Sequence, residues 1–354
     1  MIRLLDRYIA SRILVATALV LGVLTSLTMF FAFLDALKDY GQANFDLYQV
    51  VRYVVLLQPR KLYEVFPVIT LIGTLLGLST LAVNAELVAM RAAGVSILQI
   101  VGAAMRVGFV LAIAVSVLGE YFVPAVENEA QVGRAKALAR GVALQKTGLW
   151  LRDGQDFVNI GEVMPDLSLQ RVNVYSFENQ IRLRVHARAE RALLTPEGWQ
   201  LQNVLRSEIG DHGIVQQHLD RQAWTTTLTR EVVGVFAVQP EQLSMQQLTH
   251  YIEHLSRNSQ STERYRLVLW QKLLMPLAVV VMVLIATPFA LGQTRGGTLS
   301  RRVFAGIMLG LLFVVVTRSF GHFGLLYGVA PMLGALLPIL LFLFGALVLL
   351  RRSV

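Results

Sequence analysis

Six stretches of this chain are too apolar to be left in water: Ile13–Leu34, Val65–Val83, Val107–Val123, Leu267–Leu291, Val303–Thr317 and Pro331–Leu350. Each approaches or exceeds the ~20 residues that carry an α-helix across the hydrocarbon core of a bilayer. The fifth does so if it runs on through Arg318 to Phe320. One such stretch could be the core helix of a soluble protein. Six, in a chain with only 16% charged residues, predict an α-helical integral membrane protein with six transmembrane helices, arranged 3+3. Arg3, Arg7 and Arg12 ahead of the first stretch imitate a secretory leader. That stretch outruns the roughly 7–15 residues of a leader's apolar region and no small-x-small cleavage site follows, so it reads as an uncleaved span.

Between the third and fourth spans the composition changes. Residues 124–264 hold 15 Lys/Arg and 16 Asp/Glu, while the rest of the chain holds 17 and 7. The overall charge of +9 therefore belongs to the membrane part, which argues against a nucleic-acid binder. The division expected is 1–123 for helices one to three, 124–264 for an inserted soluble domain and 265–354 for helices four to six. Short loops on one side carry Arg3, Arg7, Arg12, Arg91, Arg106, Arg295, Arg301, Arg302, Arg351 and Arg352 against Asp6 and Glu86. By the positive-inside rule that side is cytoplasmic, both termini with it, and the insert lies outside.

The insert reads as β. Ile181, Leu183, Val185, Ala187 and Ala189 alternate with Arg182, Arg184, His186, Arg188 and Glu190, and Trp199, Leu201 and Asn203 continue the habit. Turn signals recur at Arg152-Asp153-Gly154, Met164-Pro165-Asp166, Thr195-Pro196-Glu197-Gly198 and Gly210-Asp211-His212-Gly213. The pattern suggests a sandwich or jelly roll of short strands. Leu243, Leu248, Tyr251, Ile252 and Leu255 then fall at helical spacing behind Ser244 and Gln247, a capping box, and predict a linker helix.

Catalytic signatures are missing. No GxxxxGK[ST], HExxH or GxSxG occurs, and the chain has no cysteine. His250 and His254 stand at i,i+4 but have no further ligand nearby, and read as solvated histidines. Gly292–Gly297 is a basic loop without the preceding strand that a phosphate cradle needs. What remains is Glu86-Leu87-Val88-Ala89-Met90-Arg91-Ala92-Ala93-Gly94 in a cytoplasmic loop. Leu87, Met90, Ala93 and Gly94 share one apolar strip, Glu86 suits the helix start, and Gly94-Val95-Ser96 restarts a helix. Such a piece either docks into a groove of a soluble partner or is a tight helical hairpin with a capping acid.

That segment resembles the lipopolysaccharide export permease family LptF/LptG. So do Leu5-Asp6-Arg7-Tyr8-Ile9, Phe33-Leu34-Asp35-Ala36-Leu37-Lys38 and Gly148-Leu149-Trp150-Leu151-Arg152-Asp153-Gly154. The N-terminal and loop motifs are more similar to the LptG type than to its LptF-type sister. The resemblance implies an inserted periplasmic all-β jelly-roll-like domain in a multi-pass protein of the Gram-negative inner membrane. It implies a permease that extracts lipopolysaccharide and passes it to a periplasmic bridge. The partners implied are an LptF-type sister permease, a dimeric LptB-type ATPase, a single-span LptC-type protein and an LptA-type bridge protein. No cofactor is implied for this chain; ATP and Mg belong to the ATPase. Glu86, Leu87, Met90, Arg91 and Gly94 would then be ATPase-coupling residues. Lys38, Arg60, Lys61 and Arg318, at the outer ends of spans, would meet the phosphates of lipid A, or else snorkel as ordinary interfacial cations. Arg318 could instead pair with Glu120. Met29, Phe30, Phe31 and Phe33 could line a lipid cavity or face the bilayer. The rival reading is a permease of another ATP-driven system, for lipoprotein release or mechanotransmission; these usually have four spans.

Overall fold

A run of apolar residues with no competing turn signal has one economical way to bond its own backbone, the α-helix, and the apolar stretches all take it. In the computed structural model, which describes residues 2–42, 44–138, 142–145, 148–153, 156–164, 167–178, 182–195, 198–210, 213–226, 228, 233, 239–257, 261–291 and 299–353, six helices are long and apolar enough to cross a membrane. These are α1 (Ile2–Ala36), α2 (Leu47–Val83), a rod formed by α4 (Ile97–Val117) and α5 (Val123–Leu138), α7 (Glu263–Leu291), α8 (Leu299–Tyr327) and α9 (Pro331–Ser353). Two shorter helices complete the set, α3 (Glu86–Ala92) and α6 (Met245–Arg257). Contacts divide the chain into two units. One comprises Met1–Ala32, Leu57–Glu127 and Leu243–Val354; the other comprises Phe33–Leu56 and Asn128–Gln242.

The helices outrun the apolar stretches. α2 begins at Leu47, well before Val65, and the third helix runs on to Leu138. The charged residues carried along find carboxylates and cations on one another. Arg60 bonds Glu64 at 3.0 Å and Glu127 at 2.5 Å, and Arg52 bonds Glu129 at 2.6 Å. Pro124 does not end the third helix, because α4 and α5 are joined by a π turn at Leu118–Phe122. There the Val123 N–H reaches back five residues to the Leu118 carbonyl. The wider turn gives room to a proline ring that would collide with an ordinary α-helical carbonyl.

In the helical unit α1 and α2 cross with their backbones nearly touching. A Cβ on Gly77 would lie 2.8 Å from the Ile13 Cα, and one on Gly73 would lie 2.6 Å from the Thr17 Cα. This small-xxx-small spacing lets two membrane helices approach closely enough for dispersion to hold them. Ile9, Ile13, Leu78, Leu81 and Ile100 are buried at the same core, with Val283 and Ile285 of α7.

The other unit contains an antiparallel sheet of β1 (Val142–Gln145), β2 (Gly148–Asp153), β3 (Asp156–Val163), β4 (Leu169–Glu178), β5 (Arg182–Thr195), β6 (Gly198–Gly210) and β7 (Gly213–Trp224). The strands pair in sequence order. The inserted all-β domain is thus present, as one meander with long final strands rather than two sheets of short ones. Its hairpins close at Asp153/Asp156, Thr195/Gly198 and Gly210/Gly213, where turns were expected; the two-residue tips lie outside the described residues, as do Pro165-Asp166, Ile181 and the Gly292–Gly297 loop.

A crease crosses five of these strands. The pairing skips Gly161, Arg171, Glu190, Asn203 and Asp220, while the register on either side is unchanged. Arg171 (φ 52°) and Asn203 (φ 53°) adopt left-handed backbone. Buried residues step by two along each strand and by three across this line: Ile160 to Val163, Leu169 to Val172, Ala189 to Ala192, Leu201 to Val204. One extra residue per strand lets the sheet turn a corner while both arms keep the same face inward. Asn203 therefore does not continue the alternation. It sits on the crease and donates to Glu190 Oε2 at 2.6 Å. Val185 is only half-buried, because a register shift between Ser176 and Phe177 disturbs the ladder beside it. Trp199 and Trp224, 6.2 Å apart, close one end of the apolar interior, with Trp199 Nε1 donating to the Leu228 carbonyl.

Candidate functional site

Two places were singled out by the sequence, the loop around Glu86 and the basic residues near the outer helix ends. The loop is built almost wholly from local chemistry. α2 stops at Val83, and Ala85 turns the chain in left-handed backbone (φ 59°). α3 then runs seven residues and ends in a complete Schellman motif. Val95 N–H bonds the Met90 carbonyl, and Gly94 N–H bonds the Arg91 carbonyl, each at 3.0 Å. Gly94 has φ +90°, which a residue with a Cβ reaches only under strain. One residue later Ser96 and Gln99 form a reciprocal capping box that starts α4. The angle between α3 and α4 is thereby fixed from both sides.

The apolar strip expected at Leu87, Met90, Ala93 and Gly94 is not a single outward face. Leu87 is 4% exposed and Met90 packs beside it, both turned into the helical core, whereas Ala93 and Gly94 are exposed. A helix anchored by its apolar face presents the opposite one, and that face is Val88, Ala89, Arg91 and Ala92, with Val88 65% exposed. Glu86 is half-buried and already engaged: Tyr8 Oη of α1 donates to its Oε2 at 2.7 Å. Arg12 in turn donates to Tyr8 Oη at 2.8 Å and lies 5.0 Å from the Tyr8 ring centre. Asp6 pairs with Arg106 of α4. The sequence offered a faint sign of this in the i,i+4 spacing of Tyr8 and Arg12, but none of their distant partners.

The basic residues divide into two kinds. Arg60 is inside the structure, its side chain 13% exposed between Glu64 and Glu127, and Glu127 is itself 1% exposed. Its charge is spent on these carboxylates. Lys38, in the short 3₁₀ turn after α1, is exposed and bonds Asp35 at 2.8 Å. Lys61 and Arg318 are exposed, and among the described residues neither has an ion-pair partner. None of the four is bonded to another. Glu120 is not the partner of Arg318. It stands in the π turn and accepts from the backbone N–H groups of Met245 and Gln246, at 2.8 and 3.3 Å, capping α6. Lys272 grips the same junction by donating to the Leu243 carbonyl. Arg134, which sequence reasoning passed over, bonds Asp39 at 2.5 Å and covers the Tyr53 ring. Phe30 and Phe31 are both exposed on α1.

Residues 7–352 match the family model described as lipopolysaccharide export system permease LptF/LptG. The chain is 35% identical over 347 residues to the lipopolysaccharide export system permease protein LptG of Haemophilus influenzae, covering 97% of each. It is 35% identical over 353 residues to the LptG protein of Escherichia coli K12, covering 99% of this chain and 98% of that one.

Proposed function

The chain belongs to the lipopolysaccharide export permease family LptF/LptG, and from that premise we propose how its parts divide the work. It is a permease of lipopolysaccharide export, whose relatives at 35% identity are LptG proteins. As a permease subunit it needs a separate engine. That engine is a dimeric LptB-type ATPase, using ATP and Mg, under a pair made of this chain and an LptF-type sister. An LptC-type single-span protein and an LptA-type bridge complete the complex in a Gram-negative inner membrane. Both termini are cytoplasmic and the β-domain periplasmic, in accord with the arginine-rich short loops.

The observation that carries this reading is α3. A seven-residue helix fixed at its C-terminal end by a Schellman motif and a capping box, anchored by Leu87, shows an unpaired face of Val88, Ala89, Arg91 and Ala92 on the arginine-rich side. Such a helix pushes on what it touches instead of bending. It takes the stroke of the ATPase, with Glu86 as its charged contact, Leu87 and Met90 as its internal frame and Gly94 as the turn that ends it. Lys61 and Arg318, both without an ion-pair partner among the described residues, offer their charges to lipid A phosphates, and Lys38 adds its own when Asp35 releases it. Arg60 acts on the lipid only through the shape of the helix it holds. The test is the assembled complex carrying Glu86→Ala. It should fold and retain the ATPase but lose most lipopolysaccharide-stimulated ATP turnover; turnover and transport at the wild-type level would refute the coupling role.

A further inference from the structure

The N-terminal motif Leu5-Asp6-Arg7-Tyr8-Ile9 has no part in the scheme above, yet two of its polar residues reach the coupling helix and the helix that follows it. Tyr8 donates to Glu86 on α3, and Asp6 pairs with Arg106 on α4. Ile9, the residue after Tyr8, is fully buried in the same core as Leu87 and Ile100. The Tyr8 hydroxyl receives a bond from Arg12 while giving one to Glu86, so a charge-assisted chain runs Arg12 to Tyr8 to Glu86. Only Oε2 of Glu86 is firmly held. Among the described residues Oε1 has one hydrogen-bond partner, Asn84 Nδ2 at 3.5 Å, which is the outer limit of a hydrogen bond.

We propose that Tyr8 and Asp6 are positioning residues of the coupling site. Tyr8 fixes one oxygen of Glu86 so that the other can accept from a cationic donor on the ATPase. Asp6 closes the second arm through Arg106. Together they make the start of α1, the coupling helix and the middle of α4 a single rigid piece, so that a displacement of α3 reaches the first membrane helix directly. This rests on the coupling role of Glu86.

The experiment compares Tyr8→Phe, Glu86→Gln and the double variant in the reconstituted complex, reading lipopolysaccharide delivered per ATP hydrolysed and the amount of ATPase retained. Tyr8→Phe keeps the ring beneath Arg12 and removes only the hydroxyl. It should retain the ATPase and lower delivery per ATP at least about tenfold, the order expected for one lost hydrogen bond to a charged group. The double variant should be no worse than Glu86→Gln. Additive losses, or normal delivery by Tyr8→Phe beside a defective Glu86→Gln, overturn the inference and leave the coupling role standing. Normal delivery by Glu86→Gln removes the coupling role and the inference with it. Should Tyr8→Phe fail to assemble, the Asp6→Arg, Arg106→Asp exchange decides: each single change should uncouple and the exchange should restore delivery, and an exchange no better than the singles overturns the proposal.

Discussion

The loop at α3 and the charged N-terminal half of α2 are both dense in polar residues beside a membrane helix, yet they are held in different ways. Around α3 the bonds that set the backbone join residues at most five apart: Met90 to Val95, Arg91 to Gly94, Ser96 to Gln99. Along α2 the decisive partners are remote: Arg60 meets Glu127 and Arg52 meets Glu129. A loop fixed by its own neighbours keeps its shape whatever the rest of the molecule does. A cation fixed by a distant carboxylate is structural only while the two helices stay together, and an adjacent cation without a carboxylate, Lys61, is left for other uses.

The sharpest way to break this contrast is at Arg60. Arg60→Gln leaves Glu127 buried with no cation bonded to it, and should cost about 3 kcal/mol of stability, because an uncompensated charge remains in a poorly solvated place. Lys61→Gln, one residue on, should stay within about 0.5 kcal/mol. Thermal unfolding of the purified chain measures both, and equal effects would erase the distinction. Next in size is Gly94→Val, which places a β-branched residue at φ +90° and should cost about 1–2 kcal/mol with loss of lipid-stimulated turnover. Its effect should be local, leaving the sheet unit's proteolysis pattern unchanged.

Smaller effects sharpen the reading of the unpaired cations. Lys61→Gln and Arg318→Gln should each lower lipopolysaccharide bound per complex modestly, by about 1 kcal/mol per charge at most, and the pair should lower it further. Lys38→Glu should exceed Lys38→Ala, since reversal adds repulsion. Full occupancy in the triple neutral variant would assign recognition to the acyl chains alone.

The smallest prediction concerns His186, on the outer face of β5. It stacks on Tyr175 at 4.7 Å, and burial, then the charge of Arg188, lowers its pKa below the ordinary histidine value of 6.5. The folded sheet thus resists a proton that the unfolded chain accepts. Its stabilising share is complete above the ordinary histidine value and is lost as pH falls through that value toward the folded one. Denaturation of the whole chain, followed by tryptophan fluorescence, should show a midpoint that drops between pH 7.5 and 5.5 less steeply in His186→Asn than in the wild type.

Apolarity alone made the six membrane helices legible, because twenty uncharged residues in a row have few other fates. The ends were not legible: Leu47–Glu64 and Pro124–Leu138 are polar enough to read as loop, and the carboxylates and cations that pair them are remote in the chain. The α3–α4 joint was readable from Gly94-Val95-Ser96 and Gln99, whose turn chemistry is local. Which side of α3 faces out was not, since Leu87 and Val88 are equally apolar and only the neighbouring core decides between them. Period-two alternation announced the sheet. It could not announce the crease, because an asparagine visits left-handed backbone too often in turns to mark one inside a strand, and nothing in an arginine declares it at all.

The π turn at Leu118–Phe122 adds a residue to a helix that otherwise advances about 100° per residue. The third membrane helix is therefore two helices in different rotational frames. Ala112 and Val115 address Val279 in the first frame, and Glu127 addresses Arg60 in the second. Substitutions at the exposed Tyr121 and Phe122 leave both frames intact. Deleting a single residue from it would restore a regular α-helix and swing Glu127, Glu129 and Arg134 about 100° from their partners at one stroke. For this helix the spacing between residues is a stricter specification than their identity, and insertions or deletions at this turn are the changes a working permease can least tolerate.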